Sequence, residues 1–172
     1  MKTTIYLIAT IMIVTMVACN ETKKEEAGDF KWQTEQFADL RILRYQIPGW
    51  DELTLKQKEL VYYLSQAALC GRDITLNQNY RNNLLVRKTL EAIYQNYKGD
   101  RTTEEFNNLA TYMKRVWFSN GIHHHYSTDK FYPEVSTDYF SILLSGVPAD
   151  QLPLKEGQTQ EEFTEEITTI IF

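Results

Sequence analysis

Cysteine, glycine, proline and histidine are all scarce in this chain of 172 residues. It has 2 cysteines, 7 glycines, 4 prolines and 3 histidines. It contains no Gly-rich phosphate loop, no Gly-x-Ser-x-Gly elbow and no His-Glu-x-x-His pair, so the common short catalytic motifs are missing. The net charge of −5 argues against nucleic acid as a partner, because phosphate binding needs clustered Lys and Arg.

The first residues have the pattern of a secretion signal. Lys2 precedes an apolar run from Ile5 to Ala18, which is shorter than the roughly 20 residues that a spanning helix needs. Small Ala18 stands directly before Cys19, and this arrangement resembles the lipobox of bacterial lipoproteins. The sequence therefore predicts a lipoprotein signal peptide over residues 1–18. The alternatives are an ordinary signal peptide or a retained anchor.

The predicted lipid attachment site is Cys19, which would anchor an exported protein to the cell envelope. Asn20 does not look like an inner-membrane retention signal, so we expect the outer membrane or the cell surface. Residues 19–36 are charged and predict a flexible tether. With Cys19 lipidated, Cys70 has no partner, so we expect no disulfide framework and a small buried Cys70.

Residues 37–172 predict a mainly α-helical array. Three candidate capping boxes precede apolar patterns of helical period: Thr54 with Gln57, Thr102 with Glu105, and Thr159 with Glu162. The patterns predict helices from Thr54 to a left-handed stop at Gly71, from Asn83 to Tyr97, from Thr102 to near Gly121, from Thr137 to Leu144, and after Thr159. Residues 40–47 alternate only partly, which is compatible with a strand, a helical turn or an extended arm.

The last predicted helix ends in Ile170, Ile171 and Phe172 with no Gly, Pro or basic residue to close it. Natural chain ends are usually polar and frayed. This pattern predicts a truncated chain. The alternative is a real terminus that docks by its apolar face.

All three histidines are adjacent, at His123, His124 and His125. Neighbours on a helix point about 100° apart, and on an extended segment only alternate residues share a face, so the three cannot hold one metal ion together. Two of them would need a further ligand, for which Asp129 and Glu134 are the nearest carboxylates in sequence. The sequence therefore predicts no metal ligand and no catalytic residue here.

Two other interpretations of the histidines remain open. One is a turn after a helix, with imidazoles bonded to backbone carbonyls and stacked on Tyr126, Phe131 or Tyr132. The other is a loop at the edge of a substrate cleft that contacts a peptide. The candidates for that contact are His123, His124, His125 and Tyr126.

Three stretches resemble the N-terminal region of bacterial dipeptidyl peptidase III, a family of zinc-dependent exopeptidases. They are "FADLRILRYQIPGWDELTLKQKELVYYLSQAALCGRDI", "LEAIYQNYKGD" and "YMKRVWFSNGIHHHYSTDKFYPEVSTDYF". The resemblance extends from about Phe37 to Phe172. It implies that residues 37–172 are the helical N-terminal portion of a larger, two-lobed metallopeptidase.

The resemblance also implies an activity that this chain cannot complete alone. Members of the family release dipeptides from the N-termini of short oligopeptides, using zinc held by a His-Glu-x-x-Gly-His helix and a downstream glutamate. No His-Glu dipeptide occurs in this chain, so no zinc-binding or catalytic position can be assigned. We expect an inactive, zinc-free fragment whose apolar faces are covered by the remainder of the enzyme. The alternative is a self-standing helical lipoprotein that binds a partner without catalysis.

Overall fold

The computed structural model describes residues 30–172. The predicted signal peptide, the lipid attachment site Cys19 and residues 19–29 of the tether lie outside the described residues. The chain forms two compact units. The first includes residues 30–36 and 41–46, and the second comprises residues 37–40 and 47–172.

A two-stranded sheet opens the described chain, with β1 at Gln33–Phe37 and β2 at Leu40–Leu43. The two residues between the strands include Ala38 in a left-handed conformation, with φ 48°. The partly alternating segment 40–47 is therefore a strand in its first half. Strand β1, which pairs with β2, lies largely within residues 19–36, for which the sequence predicts a flexible tether.

Helices dominate residues 47–172, so the prediction of a mainly α fold is confirmed. Short 3₁₀ turns lie at Trp50–Glu52 and Ala149–Gln151. The α-helices are α1 at Leu55–Cys70, α2 at Arg72–Asn79, α3 at Asn83–Asn96, α4 at Glu104–Ser119, α5 at Thr137–Ser145 and α6 at Gln160–Ile171.

Two of the three predicted capping boxes are confirmed, those that begin at Thr54 and Thr159. The third is wrong, because α4 is capped by Thr103, whose hydroxyl accepts from the backbone N–H of Phe106 at 3.3 Å. Thr102 is engaged elsewhere: the Asp100 carboxylate accepts from its backbone N–H at 2.8 Å and from its hydroxyl at 2.7 Å. Because Thr102 is hydrogen-bonded to Asp100, it does not cap α4, and the N-cap lies one residue later, at Thr103.

Helices α3 to α6 share one hydrophobic core. Its fully buried side chains follow the helical period of each element: Val86, Leu90 and Ile93; Leu109, Met113 and Val116; Phe140 and Leu144; Phe163, Ile167 and Ile171. Burying one such side chain stabilises the fold by about 1.5–3 kcal/mol. Phe172 is half-buried, and its ring lies edge-on to that of Phe140 at 5.7 Å between centroids.

Helix α1 has no buried residue, although it is rich in apolar side chains. Its Leu60 is 58% exposed and its Leu64 is 60% exposed. Cys70 is exposed too, so the prediction of a buried Cys70 is wrong, because no other part of the described chain covers α1. The left-handed stop predicted at Gly71 is also wrong: its φ of −77° is right-handed, because α2 follows at Arg72 without a linker. Within residues 30–172, no helix has the length and apolarity needed to cross a membrane.

Candidate functional site

The three histidines lie in a closed loop directly after α4. The helix ends at Ser119, and Asn120 takes the left-handed conformation that closes it, with φ 52°. The backbone N–H of His124 donates to the Asp129 carbonyl at 2.8 Å, and His123 forms an isolated antiparallel bridge with Lys130. These bonds make residues 122–131 a compact, hairpin-like loop.

Asn83, the first residue of α3, holds this loop to the helices. Its side chain is 1% exposed, its Oδ1 accepts from the backbone N–H of Ile122 at 3.0 Å, and its Nδ2 donates to the Asn120 carbonyl at 3.4 Å. Asn79, at the end of α2, also donates to the Asn120 carbonyl, at 3.2 Å. The backbone at position 121 passes so close to the Asn83 side chain that only glycine fits. A Cβ there would lie 2.1 Å from Asn83 Nδ2, and the φ is +152°.

The imidazole rings stack on one another and on nearby aromatic rings. His124 and His125 are 4.4 Å apart between centroids with an interplanar angle of 26°, and His125 lies 4.2 Å from Tyr126. His123 meets the ring of Tyr80 edge-on at 5.3 Å. The His124 ring also makes a hydrogen bond: its Nδ1 accepts from the backbone N–H of Tyr126 at 3.2 Å.

Arg115, on α4, contacts the C-terminal end of the loop at Phe131. Arg115 lies over the ring of Phe131, 5.0 Å from its centroid, and forms an ion pair with Asp39. Lys130 lies over the ring of Tyr132 at 4.7 Å, and burial lowers its pKa from the ordinary value. Aromatic and charged contacts therefore hold the loop on both sides.

A pocket of about 310 Å³ opens between this loop and the ends of three helices. Among the residues that the structure describes, no Asp, Glu, Lys or Arg lines its wall. It is lined by Asn79, Asn83, Ser119, Asn120, Gly121, His123, His124, His125, Ser127 and Thr128. Ser119 is only 5% exposed, and its hydroxyl has no hydrogen-bond partner within the part of the chain that the structure describes. The wall that these residues form is therefore mainly polar.

The structure brings three of the four cleft candidates to one pocket. His123, His124 and His125 line it, whereas Tyr126 lies at the tip of the loop and is 87% exposed. Across residues 30–172, no group of three or more His, Cys, Asp and Glu side chains is placed to hold a metal ion. The arrangement offers hydrogen-bond donors beside stacked rings, which are features that bind and orient a small polar ligand.

Sequence reasoning missed the two residues that define this site from the helix side. Asn83 and Ser119 are separated from the histidines by a helix pair or by a turn, and neither belongs to a recognisable motif. A polar residue at a position that the helical period assigns to the core is the one signal that could have indicated them. No protein-family model matches the chain, and a search of curated proteins found no match either.

Proposed function

We propose that this chain is the N-terminal portion of an exported, lipid-anchored zinc dipeptidyl peptidase of the dipeptidyl peptidase III family. The whole enzyme would have two lobes around a cleft and would remove dipeptides from the N-termini of short oligopeptides. Zinc and the catalytic glutamate belong to the remainder of that enzyme, and no residue of this chain is given a catalytic or zinc-binding role. The resemblance over residues 37–172 and the mainly α-helical fold support this proposal.

The observation that carries the proposal is the exposure of α1. This helix of 16 residues has apolar side chains around its whole circumference, including Tyr62 at 59% and Tyr63 at 68% exposure. A helix that is apolar on all sides is normally buried, and an isolated helix of this length is only marginally stable in water. We therefore expect the remainder of the enzyme to pack around α1.

The proposal predicts a coding sequence that DNA sequencing can check. The DNA downstream of codon 172 should encode a His-Glu-x-x-Gly-His segment, in frame or one frameshift away. The segment can then be co-expressed with this chain, and dipeptide release from a tetrapeptide measured. We expect zinc and activity in the assembled protein and neither in this chain alone. Stoichiometric zinc and dipeptide release from the purified chain by itself would contradict the proposal.

The role of α1 can be tested in the same assembly. Leu64→Asp places a charge on the exposed face of α1 and should prevent association, because a buried unpaired carboxylate is very unfavourable. Ile142→Asp is the matched control, since Ile142 is 67% exposed on α5. Association that survives Leu64→Asp would show that α1 is not the contact surface.

A second candidate function is a helical lipoprotein that binds a small ligand or partner without catalysis. The observation that favours it is the pocket of about 310 Å³, whose lining residues all belong to this chain. Such a module should unfold in one cooperative thermal transition and should not bind an apolar dye. The peptidase proposal predicts dye binding by the isolated chain, because α1 is uncovered.

A further inference from the structure

The open end of the β1–β2 hairpin, formed by residues 30–32 and 43–46, leaves large aromatic side chains in solvent. Trp32 is 57% exposed and Tyr45 is 82% exposed. The backbone N–H of Arg44 donates to the Trp32 carbonyl at 2.7 Å, so the strands are still paired at this end. A hairpin of two strands buries little apolar surface of its own and is only marginally stable in water. A partner surface is therefore expected for these side chains.

The hairpin unit, residues 30–36 and 41–46, is basic, whereas the rest of the described chain is acidic. Its charged residues are Lys31, Arg41, Arg44 and Glu35, which give a net charge of +2. The other described residues include 12 basic and 18 acidic ones, a net charge of −6. Within residues 30–172, neither Lys31 nor Arg41 forms an ion pair. The charge of the hairpin unit therefore favours a negatively charged partner.

Aromatic and basic side chains alternate at the open end. The guanidinium of Arg44 lies over the ring of Phe30, 5.5 Å from its centroid. Successive side chains of a strand point to opposite faces, so Arg44 lies on one face and Leu43 and Tyr45 on the other. Because both faces carry apolar groups, the contact is made by the end of the hairpin and not by one face. Trp and Tyr rings beside long basic side chains are typical of the headgroup region of a bilayer, where the rings lie in the interface and the charges reach the phosphates.

The open end is also the end that receives the predicted tether. Phe30 stands 11 residues after the predicted lipid attachment site, Cys19. An extended chain spans at most about 3.6 Å per residue, so a lipidated Cys19 would hold Phe30 within about 40 Å of the membrane. Such tethering raises the local concentration of the lipid surface, so that even a weak contact is populated.

We infer that the open end of the hairpin rests on an anionic phospholipid surface, with its aromatic rings in the headgroup region and its basic side chains against the lipid phosphates. The inference rests on the proposed lipid anchor for its placement, and it concerns a surface other than α1. The contact fixes how the protein stands on the membrane, which a lipid anchor on a tether does not do. Each basic residue near such a surface strengthens binding about fivefold, and salt screens this attraction.

The test places the full chain on vesicles and measures whether Trp32 meets the lipid. The chain has three tryptophans, so Trp50→Phe with Trp117→Phe leaves Trp32 alone, and Trp32→Phe with Trp50→Phe leaves Trp117, on α4, as the matched control. The vesicles are phosphatidylcholine with or without phosphatidylglycerol, brominated on the acyl chains to quench nearby indole fluorescence. We expect Trp32 to be blue-shifted and quenched in the anionic vesicles and released at about 1 M NaCl, where the Debye length is about 3 Å. Absence of quenching at Trp32, or equal quenching at Trp117, would overturn the inference.

Charge variants test the basic residues of the contact. Arg41→Gln with Arg44→Gln removes two charges from the hairpin unit, and Arg81→Gln with Lys88→Gln removes two exposed charges elsewhere as the matched control. The ratio of bound to free hairpin, taken from the quenched fraction of Trp32 emission, should fall about 25-fold in the first pair and less than about threefold in the second. Equal falls in the two pairs would refute a local contact.

Folding of the variant hairpin is checked separately. Hydrogen exchange of the amide at position 44, which is bonded to the Trp32 carbonyl, shows whether β1 and β2 still pair. Should that protection be lost in the double variant, the salt titration of the protein that retains both arginines decides the question, because it alters no hairpin residue. Quenching of Trp32 that persists at about 1 M NaCl would contradict the electrostatic part of the inference.

Failure of the lipid anchor and failure of this inference give different results. Mass spectrometry of the protein purified from the membranes of a lipoprotein-processing bacterial host shows whether Cys19 is lipidated. An unmodified Cys19 would contradict the anchor, whereas quenching of Trp32 by anionic vesicles would still support the hairpin contact. A lipidated chain whose Trp32 is not quenched would overturn the inference and leave the anchor in place. Loss of quenching on co-expression of the downstream segment would assign the hairpin to a protein contact and would also overturn the inference.

Discussion

Replacing Asn83 with alanine should destabilise this protein, because its buried side chain holds the histidine loop to α3. The substitution leaves the backbone N–H of Ile122 without an acceptor, in a residue that is only 1% exposed. An unsatisfied buried group costs about 1–3 kcal/mol, and the space vacated by the amide adds roughly 1 kcal/mol. The free energy of unfolding should therefore fall by about 2–4 kcal/mol, which for a chain of this size lowers Tm by roughly 5–15 °C.

The matched control is Asn79→Ala. Asn79 is exposed and donates a single bond to the same Asn120 carbonyl, so its removal should cost at most about 1 kcal/mol. Urea unfolding followed by circular dichroism gives both values, and hydrogen exchange of the Ile122 amide reports the loop directly. If Asn83→Ala lies within about 0.5 kcal/mol of Asn79→Ala and Ile122 stays protected, Asn83 does not hold the loop.

Two further predictions concern backbone strain and pH. Gly121→Ala should cost more than about 2 kcal/mol in urea unfolding, because its Cβ would meet Asn83 at 2.1 Å and its φ is +152°; combined with Asn83→Ala the cost should be less than additive, and strict additivity would contradict the clash. Burial raises the pKa of Tyr139 from 10.0 to about 12, so the folded state holds this proton more tightly and loses stability as the pH rises from 10.0 towards 12. Tyr139→Phe should reduce the fall in Tm over that pH range and leave the Tm at neutral pH unchanged. An equal fall in Tm in both proteins would contradict the role of Tyr139.

Sequence reasoning located the helices whose apolar period coincides with burial. Helix α4 is the clearest case, since Leu109, Met113 and Val116 repeat at helical spacing and are all fully buried. Helix α2 was missed, because Arg72–Asn79 is polar and only its Leu76 is buried. Helix α1 was predicted but its exposure was not, since its apolar side chains lie around the whole circumference, and such a pattern shows that they need covering but not whether the chain itself covers them.

The pocket could be predicted only in part, for a similar physical reason. The histidine run was visible as a cluster, and its position after a helix followed from the stop signal near Gly121. The partner that fixes the loop, Asn83, lies on another helix, 39 residues from Ile122. A hydrogen bond at that separation depends on the packing of α3 against α4, which no local pattern encodes. The missing partner of Ser119 is a property of the packed fold in the same way.

Helix α2 lies between α1 and the pocket. Gly71 joins α1 to α2 without a linker, with right-handed dihedral angles. At its other end, α2 holds the Asn120 carbonyl through Asn79, and an ion pair between Asp73 and Arg87 ties it to α3. The bond from Asn79 is exposed and contributes only about 0.5–1.5 kcal/mol, whereas the contact of Asn83 is buried. If a partner of α1 shifts α2, the Asn79 side of the pocket should therefore loosen first, and the Asn83 side should stay in place.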